Sequence, residues 1–477
     1  MSGTAGRPLD PRRDAAWLSG SEITAVVLAL VGQVLLTSAL AETAYGRWIL
    51  LLDVFIAAFL VLDLGLPTLL ARDGPRQPSS LRSAVWRVWR VQATVALPVT
   101  VLVGAVVLRR HPDVPYLVVI AAAVSLLHLA TYAPRAALRA AGEARLEAWS
   151  KVVERSVMTG GYALFMVQGE SAVLPYALVL AAGALAGLLC SALLLHRTLG
   201  STQTGLDELG SAWGDSWRPL LWAGAPFALT AAVLPYVSRI EKFLLADAHG
   251  YDAVAVFHVA QMAWAAGLVV PAAIRSALIP AFGAVRESNQ STAVELRKAE
   301  AWIAPLVPMG LFAGALVVPP LFTLLFPASY TDGALGANAG HLFLILLPGW
   351  GLAMMATPSL AGIQTGLNPW RYAGHAGAGL CFAVVAGLLL VPNNGPLGAA
   401  WAALSVSAVL ALLALVLRPS RRDLHARAWS LALLSCALIP WLWQHTPLAS
   451  FAAAVVLTVF AVLVARSPRE TQSGPSA

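Results

Sequence analysis

Apolar stretches of about twenty residues recur from Ile23 to Val464, parted by short polar segments rich in arginine, glycine and proline. Each stretch is long enough to cross ~30 Å of hydrocarbon as a helix. The pattern predicts fourteen spans, at 21–41, 48–68, 91–108, 115–137, 152–168, 172–195, 219–245, 253–279, 302–325, 339–363, 373–391, 397–417, 428–445 and 448–465. The least marked are 152–168, which opens on Glu154 and Arg155, and the last pair, parted only at His445-Thr446-Pro447. The expected fold class is an all-α polytopic membrane protein of about 14 transmembrane helices. Ala39-Leu40-Ala41 looks like a cleavage site, but Ile23–Leu40 exceeds a signal-peptide core and reads as an uncleaved first span.

A faint repeat divides the chain. Pro134 stands eight residues before Gly142 at the end of span 4, and Pro358 eight before Gly366 at the end of span 10, an offset of 224 in both cases. Six spans per half keep the two halves in the same orientation, related by an axis along the membrane normal. The expected organisation is an N-terminal tail 1–20, six-helix bundles at 21–217 and 218–418, an additional helix pair at 419–466 and a tail 467–477. The small-residue pairs Gly183/Gly187 and Gly310/Gly314 are expected to let helices pack closely.

Composition strengthens the membrane reading. Of 477 residues 58% are hydrophobic and 12% charged, and the mean hydropathy is +0.74, which leaves too little polar surface for a soluble chain of this size. The net charge of +7 does not call for nucleic acid, because it follows the positive-inside pattern. With both termini cytoplasmic, only Arg47, Arg109 and Arg110 fall in outer loops and Arg239 and Lys242 within span 7. The rest of the 31 basic residues face the cytoplasm, including Arg135, Arg139, Arg418, Arg421, Arg422 and Arg427. Trp48, Trp86, Trp89, Trp149, Trp217, Trp222, Trp302, Trp370 and Trp429 sit near span ends, where the headgroup layer suits the ring. Cys190, Cys381 and Cys436 lie in apolar spans without CxxC spacing and read as small core residues.

The motifs of several chemistries are missing. There is no G-x-x-x-x-G-K-[ST] loop, so the chain carries no ATPase of its own, and there is no HExxH, GxSxG or clustered Cys/His set. No metal or cofactor is expected. Loops of at most about two dozen residues, many spans and a two-fold repeat fit a transporter better than a membrane enzyme with a domain for its acceptor.

Against this background the charges within "LPYVSRIEKFLLADAHGYDAVAVFHVAQ" stand out. Arg239 and Lys242 are three apart and share a helix face, whereas Glu241 points elsewhere. The span starts near Trp217, so ~20 residues at 1.5 Å each bring these charges to its outer third. They either snorkel to the outer headgroups or line a water-filled cavity as an anion site. Asp53 lies near the outer end of span 2 and Asp63 near its inner end, where a structural role fits better. Gln33, His258 and Gln261 are candidate cavity residues. Arg275 anchors the inner end of span 8 or receives an anionic headgroup. His128, His341 and His375 are read as satisfied polar contacts within the helices.

Five segments carry a family resemblance: "ETAYGRW", "LDLGLPTLLAR", "ALRAAGEARLEAW", "RIEKFLLADAHGYDAVAVFHVAQ" and "LVPNNGPLGAAWAALSVSAVL". In this order and spacing, up to about Arg418, the chain resembles polysaccharide flippases of the Wzx-like branch of the multidrug/oligosaccharidyl-lipid/polysaccharide exporter superfamily. The resemblance implies two six-helix bundles facing each other in a V around a cavity lined mainly by spans 1, 2, 7 and 8. It implies alternating access in the bacterial inner (cytoplasmic) membrane that moves an undecaprenyl-diphosphate-linked oligosaccharide from inner to outer leaflet. Arg239, Lys242 and Arg275 would then hold the anionic headgroup, and Glu241, Asp53, Asp63, Gln33, His258 and Gln261 would serve the cavity or H+ or Na+ coupling. Membrane lipids, a polysaccharide polymerase and glycosyltransferases are the implied partners. Two other readings stay open: a cation-coupled drug exporter or lipid II-type flippase of the same superfamily, and a membrane enzyme with Glu42 or Asp53 as its acid.

Overall fold

A computed structural model describes residues 11–73, 81–199, 221–222, 224–225, 228–229, 237, 239–287, 292–365, 370–418 and 425–466. Every extended element among them is helical, as the hydropathy pattern requires. Among the described residues, length and composition single out nine helices able to cross a membrane, with a shorter tenth at Ile23–Ala39. Counting helices does not count spans here. The helix Trp370–Leu417 runs for 48 residues, about 72 Å at 1.5 Å per residue and more than twice the hydrocarbon thickness. It is broken at Gly395, whose φ of 55° and ψ of −136° only glycine adopts readily. That break falls in "VPNNGP", between the two spans expected there. About half of the expected span 219–245, the boundary at 217/218, Trp217, Gly366, Arg421, Arg422 and the tail 467–477 lie outside the described residues.

The helices form two compact units. The first contains α1 (Pro11–Ala39), α2 (Glu42–Leu62), α3 (Leu66–Asp73), α4 (Leu81–Arg110), α5 (Pro115–Ala140), α6 (Ala144–Val167), α7 (Val173–Leu199) and α8 (Ile240–Gly267) as far as His258. Helix α5 is its hub, packing against α2, α3, α4, α6 and α7, while α1 lies along α6. Three apolar clusters follow the α2–α4–α5 seam. Trp48, Phe55, Val107, Val118 and Val124 form one, Phe59, Leu62, Ala96 and Leu129 the next, and Leu66, Leu70, Leu81, Val88 and Leu138 the third. Gly142 closes α5 at φ 77°, with the Glu143 N–H returning to the Leu138 carbonyl at 2.9 Å, a Schellman turn.

The second unit holds α9 (Val269–Glu287), α10 (Thr292–Ile303), α11 (Leu306–Leu325), α12 (Ala339–Gln364), most of α13 (Trp370–Leu417), α14 (Ala426–His445) and α15 (Pro447–Arg466). Helix α12 is apolar all round and buried on nearly every face, against α9, α10 and α14. The C-terminal pair α14–α15 turns at Thr446 and packs on α10, with α14 also on α12. Buried Glu300 of α10 ties it down: its carboxylate accepts from Arg418 Nη1 at 2.9 Å, Trp429 Nε1 at 3.1 Å and the His425 N–H at 3.0 Å.

Several expectations change. Arg418 is 4% exposed and belongs to this buried ion pair rather than to the cytoplasmic fringe. Trp48 and Trp429 are buried packing residues, while Trp86, Trp149, Trp222, Trp302 and Trp370 are exposed as headgroup anchors would be. Cys436 is buried, but Cys381 is exposed. The small-residue pairs do serve close packing: a Cβ on Gly183 would meet Met158 Cγ at 2.3 Å and one on Gly310 the Trp350 ring at 2.2 Å.

Candidate functional site

The N-terminal end of α2 is held against the break in α8. At Gly250 (φ 83°) the α8 backbone turns, and a Cβ on Gly46 would lie 2.0 Å from the carbonyl oxygen of Tyr251, so only glycine allows the two backbones this close. Thr43 Oγ1 donates to Asp252 Oδ1 at 2.6 Å. Arg47 pairs with Asp113 and lies over the Tyr251 ring, 5.0 Å from its centroid.

This seam brings Asp53 to Arg239 and Lys242. Arg239 Nε donates to Asp53 Oδ1 and Lys242 Nζ to Asp53 Oδ2, both at 2.8 Å. Lys242 Nζ also stands 2.8 Å from His258 Nδ1. An ammonium only donates, so Nδ1 accepts and the ring proton is assigned to Nε2. That Nε2 is buried with no partner among the described residues. The His258 ring stands 6.0 Å from that of Tyr45, whose hydroxyl donates to Gln33 Oε1 at 2.6 Å. Gln33, Tyr45, His258, Lys242, Asp53 and Arg239 thus form one polar chain through the first unit, with two cations facing one carboxylate.

Snorkelling is not what Lys242 does. Its side chain is 4% exposed and turned onto Asp53, while that of Arg239 is 20% exposed. Glu241 points elsewhere, as its position requires. It is 0% exposed and neither carboxylate oxygen has a partner among the described residues. Burying a lone ionised carboxylate is costly, so this site invites a proton or cation.

The remaining candidates are scattered. Asp63 caps the C-terminus of α2 before the turn at Leu64 (φ 55°) and Gly65 (φ 66°), and its backbone carbonyl accepts from Gln92 Nε2 at 3.2 Å, while its Oδ1 is buried with no partner among the described residues. Gln261 is buried in the second unit, and Arg275 Nη1 there donates to Tyr372 Oη at 3.0 Å. His128 meets Glu154 at 3.2 Å, a satisfied contact. His375 Nε2 meets the Leu410 carbonyl at 2.9 Å, but its Nδ1 is buried with no partner among the described residues, so that expectation holds for only one of its ring nitrogens. Sequence reasoning missed Tyr45 and the pairing of Asp53 with the two cations. A signal was present in the expected topology: span 2 begins and span 7 ends on the same side, so the three charges are expected at a shared depth.

A family model described as polysaccharide biosynthesis protein matches residues 12–285, more than half of the chain. The chain belongs to the polysaccharide biosynthesis protein family. No curated protein sequence matches this family member. Solved structures do. The lipid II flippase MurJ, in an inward closed conformation, is similar over 94% of this chain and 98% of its own, with a TM-score of 0.64 at 11% identity. A MOP superfamily transporter from Pyrococcus furiosus matches over 94% and 100%, at TM-score 0.64 and 15% identity. An outward-facing MATE family multidrug resistance transporter matches over 94% and 100%, at 0.64 and 16%. At these identities the likeness shows the fold, that of MOP-superfamily transporters, and it places the polysaccharide biosynthesis family member among multi-pass membrane proteins.

Proposed function

We propose that the chain is a flippase moving an undecaprenyl-diphosphate-linked oligosaccharide from the inner to the outer leaflet of the bacterial cytoplasmic membrane by alternating access, for surface polysaccharide synthesis. The observation that carries this reading is the pair of cations, buried Lys242 and partly buried Arg239, closing on Asp53. A diphosphate carries more charge and more acceptor oxygens than one carboxylate. It would therefore displace Asp53 from the cations, which return to Asp53 on release. The moving bodies would be the halves expected at 21–217 and 218–418, with 419–466 attached and both termini cytoplasmic. No bond is made or broken in the cargo, so glycosyltransferases must supply it and a polymerase consume it. An inside-negative potential helps, because a dianion leaving the cytoplasm gains roughly 4.6 kcal/mol per 100 mV. Glu241, buried and without a partner among the described residues, is the group we assign to H+ or Na+ coupling.

Glu241 also favours the second reading, a cation-coupled drug exporter, to which the MATE likeness lends its fold. Arg239→Gln/Lys242→Gln tests between them. The flippase reading expects export to stop and lipid-linked sugar to accumulate in the inner leaflet. Normal surface polysaccharide in that variant, with altered drug susceptibility, would establish the exporter instead.

A further inference from the structure

A second polar site lies in the first unit, away from Asp53. A cavity of about 400 Å³ opens between α1, α3, α5 and α6, within the range of small-ligand pockets. Four cations line it, Arg135, Arg139, Lys151 and Arg155, against two carboxylates, Glu147 and Glu154. Both carboxylates are already engaged on both oxygens. Glu147 accepts from Arg139 Nε at 2.8 Å on Oε2, and its Oε1 faces Arg139 Nη2 and, at 3.2 Å, Lys151 Nζ. Glu154 meets His128 on Oε1 and accepts from Arg135 Nη2 at 2.7 Å on Oε2. Arg155 is left over. Its guanidinium bonds to no oxygen among the described residues, and its one bonded neighbour is Met158 Sδ at 3.9 Å. The lining therefore carries two positive charges in excess, with the Thr68 and Tyr132 hydroxyls in the same wall.

Arg139, in the last turn of α5, leaves the mouth accessible, since half of its side chain is exposed. By the positive-inside pattern this end of α5 is cytoplasmic. A guanidinium without an anion, in a walled cavity with a net charge of two, matches a group with several oxygens and two negative charges. We propose that this cavity binds a phosphate group presented from the cytoplasmic side, with Arg155 as its principal contact and Lys151 and Arg139 sharing their charge between it and Glu147. The phosphate is either free in the cytoplasm or borne by a lipid of the inner leaflet. The site is independent of the translocation reading, because it shares no residue with the Asp53 cluster.

Direct binding by the full chain in phosphatidylcholine nanodiscs tests it, in the natural chain and in the Arg239→Gln/Lys242→Gln background. Calorimetric titration with inorganic diphosphate reads the free source. Native mass spectrometry of nanodiscs doped with phosphatidic acid reads the lipid source. Arg155→Gln should weaken binding about ten-fold or more in whichever arm binds, the size expected for one charge-assisted contact. Arg155→Lys should recover most of the loss. Since Arg155 holds no ion pair among the described residues, thermal unfolding of both variants should match the natural chain, which separates lost binding from lost folding. Persistence of the Arg155-dependent binding in the Arg239→Gln/Lys242→Gln background separates this site from the first. No binding in either arm, or equal affinity with and without Arg155, overturns the proposal.

Discussion

Asp53→Asn is the perturbation that asks most of the structure. The substitution keeps the shape of the side chain and removes the one negative charge that Arg239 and Lys242 share. At an effective dielectric near 20, two unit charges 2.8 Å apart attract by about 6 kcal/mol, and Asp53 makes two such contacts. Desolvation of three buried groups offsets most of that, so the net worth of the cluster is small. Breaking it from one side is different, because two cations are then left facing each other with Lys242 3% exposed. A cost of about 3–5 kcal/mol follows, equivalent to a fall on the order of 10 °C in unfolding temperature. Removing the cations as well should restore much of this. In a thermostability assay on detergent-solubilised chain, Asp53→Asn should be the least stable variant, and Asp53→Asn/Lys242→Gln should be more stable than Asp53→Asn alone. A coupling of at least about 1.5 kcal/mol is expected. Additive losses, or an Asp53→Asn chain as stable as the natural one, would refute the reading of these three residues as one buried unit.

Glu300→Ala should cost about 3–5 kcal/mol by leaving Arg418, only 1% exposed, without its carboxylate. Limited proteolysis should then release the α14–α15 pair sooner than in the natural chain, and equal protection would count against the clamp. Gly46→Ala should lower both thermostability and export, since its Cβ has 2.0 Å to the Tyr251 carbonyl, whereas Gly104→Ala, with open space around it, should leave both unchanged. Acidification should loosen the loop between α4 and α5. Desolvation and Arg47 hold His111 below its ordinary 6.5, and the hydrogen bond from Arg47 holds Asp113 below its ordinary 3.8. Each shift favours the deprotonated form in the folded chain. Stability is therefore complete above about pH 6.5, is lost first as His111 protonates below that value, and is lost further as pH falls through the folded value of Asp113. Hydrogen exchange at residues 107–118, corrected for its intrinsic rate, should rise from pH 7 to pH 5; unchanged protection would refute the assignment.

What the sequence made legible is what one helix can report about itself. Apolar length and arginine placement sufficed for the helical class, because hydrocarbon thickness and the positive-inside pattern act on each segment separately. Pairing acts between segments, and there the pattern misleads. Helix α6 looks like a weak span because Glu147, Lys151, Glu154 and Arg155 interrupt it, yet both of its carboxylates pair with arginines of α5, Glu147 with Arg139 and Glu154 with Arg135. Arg418 reads as one of a cytoplasmic basic run with Arg421, Arg422 and Arg427, but its carboxylate partner is 118 residues away. Asp53, Arg239 and Lys242 are all visible as costly charges, but the rule about faces of one helix relates only Arg239 to Lys242, and the family resemblance gives the acid to coupling and the cations to substrate. Depth is the property that crosses that gap. Residues at the same level of the membrane, with opposite charge and no partner on their own helix, are the pairs a buried interior requires. Applied to this chain, that test unites Asp53 with Arg239 and Lys242. It leaves Glu241 as a buried acid with neither oxygen partnered among the described residues.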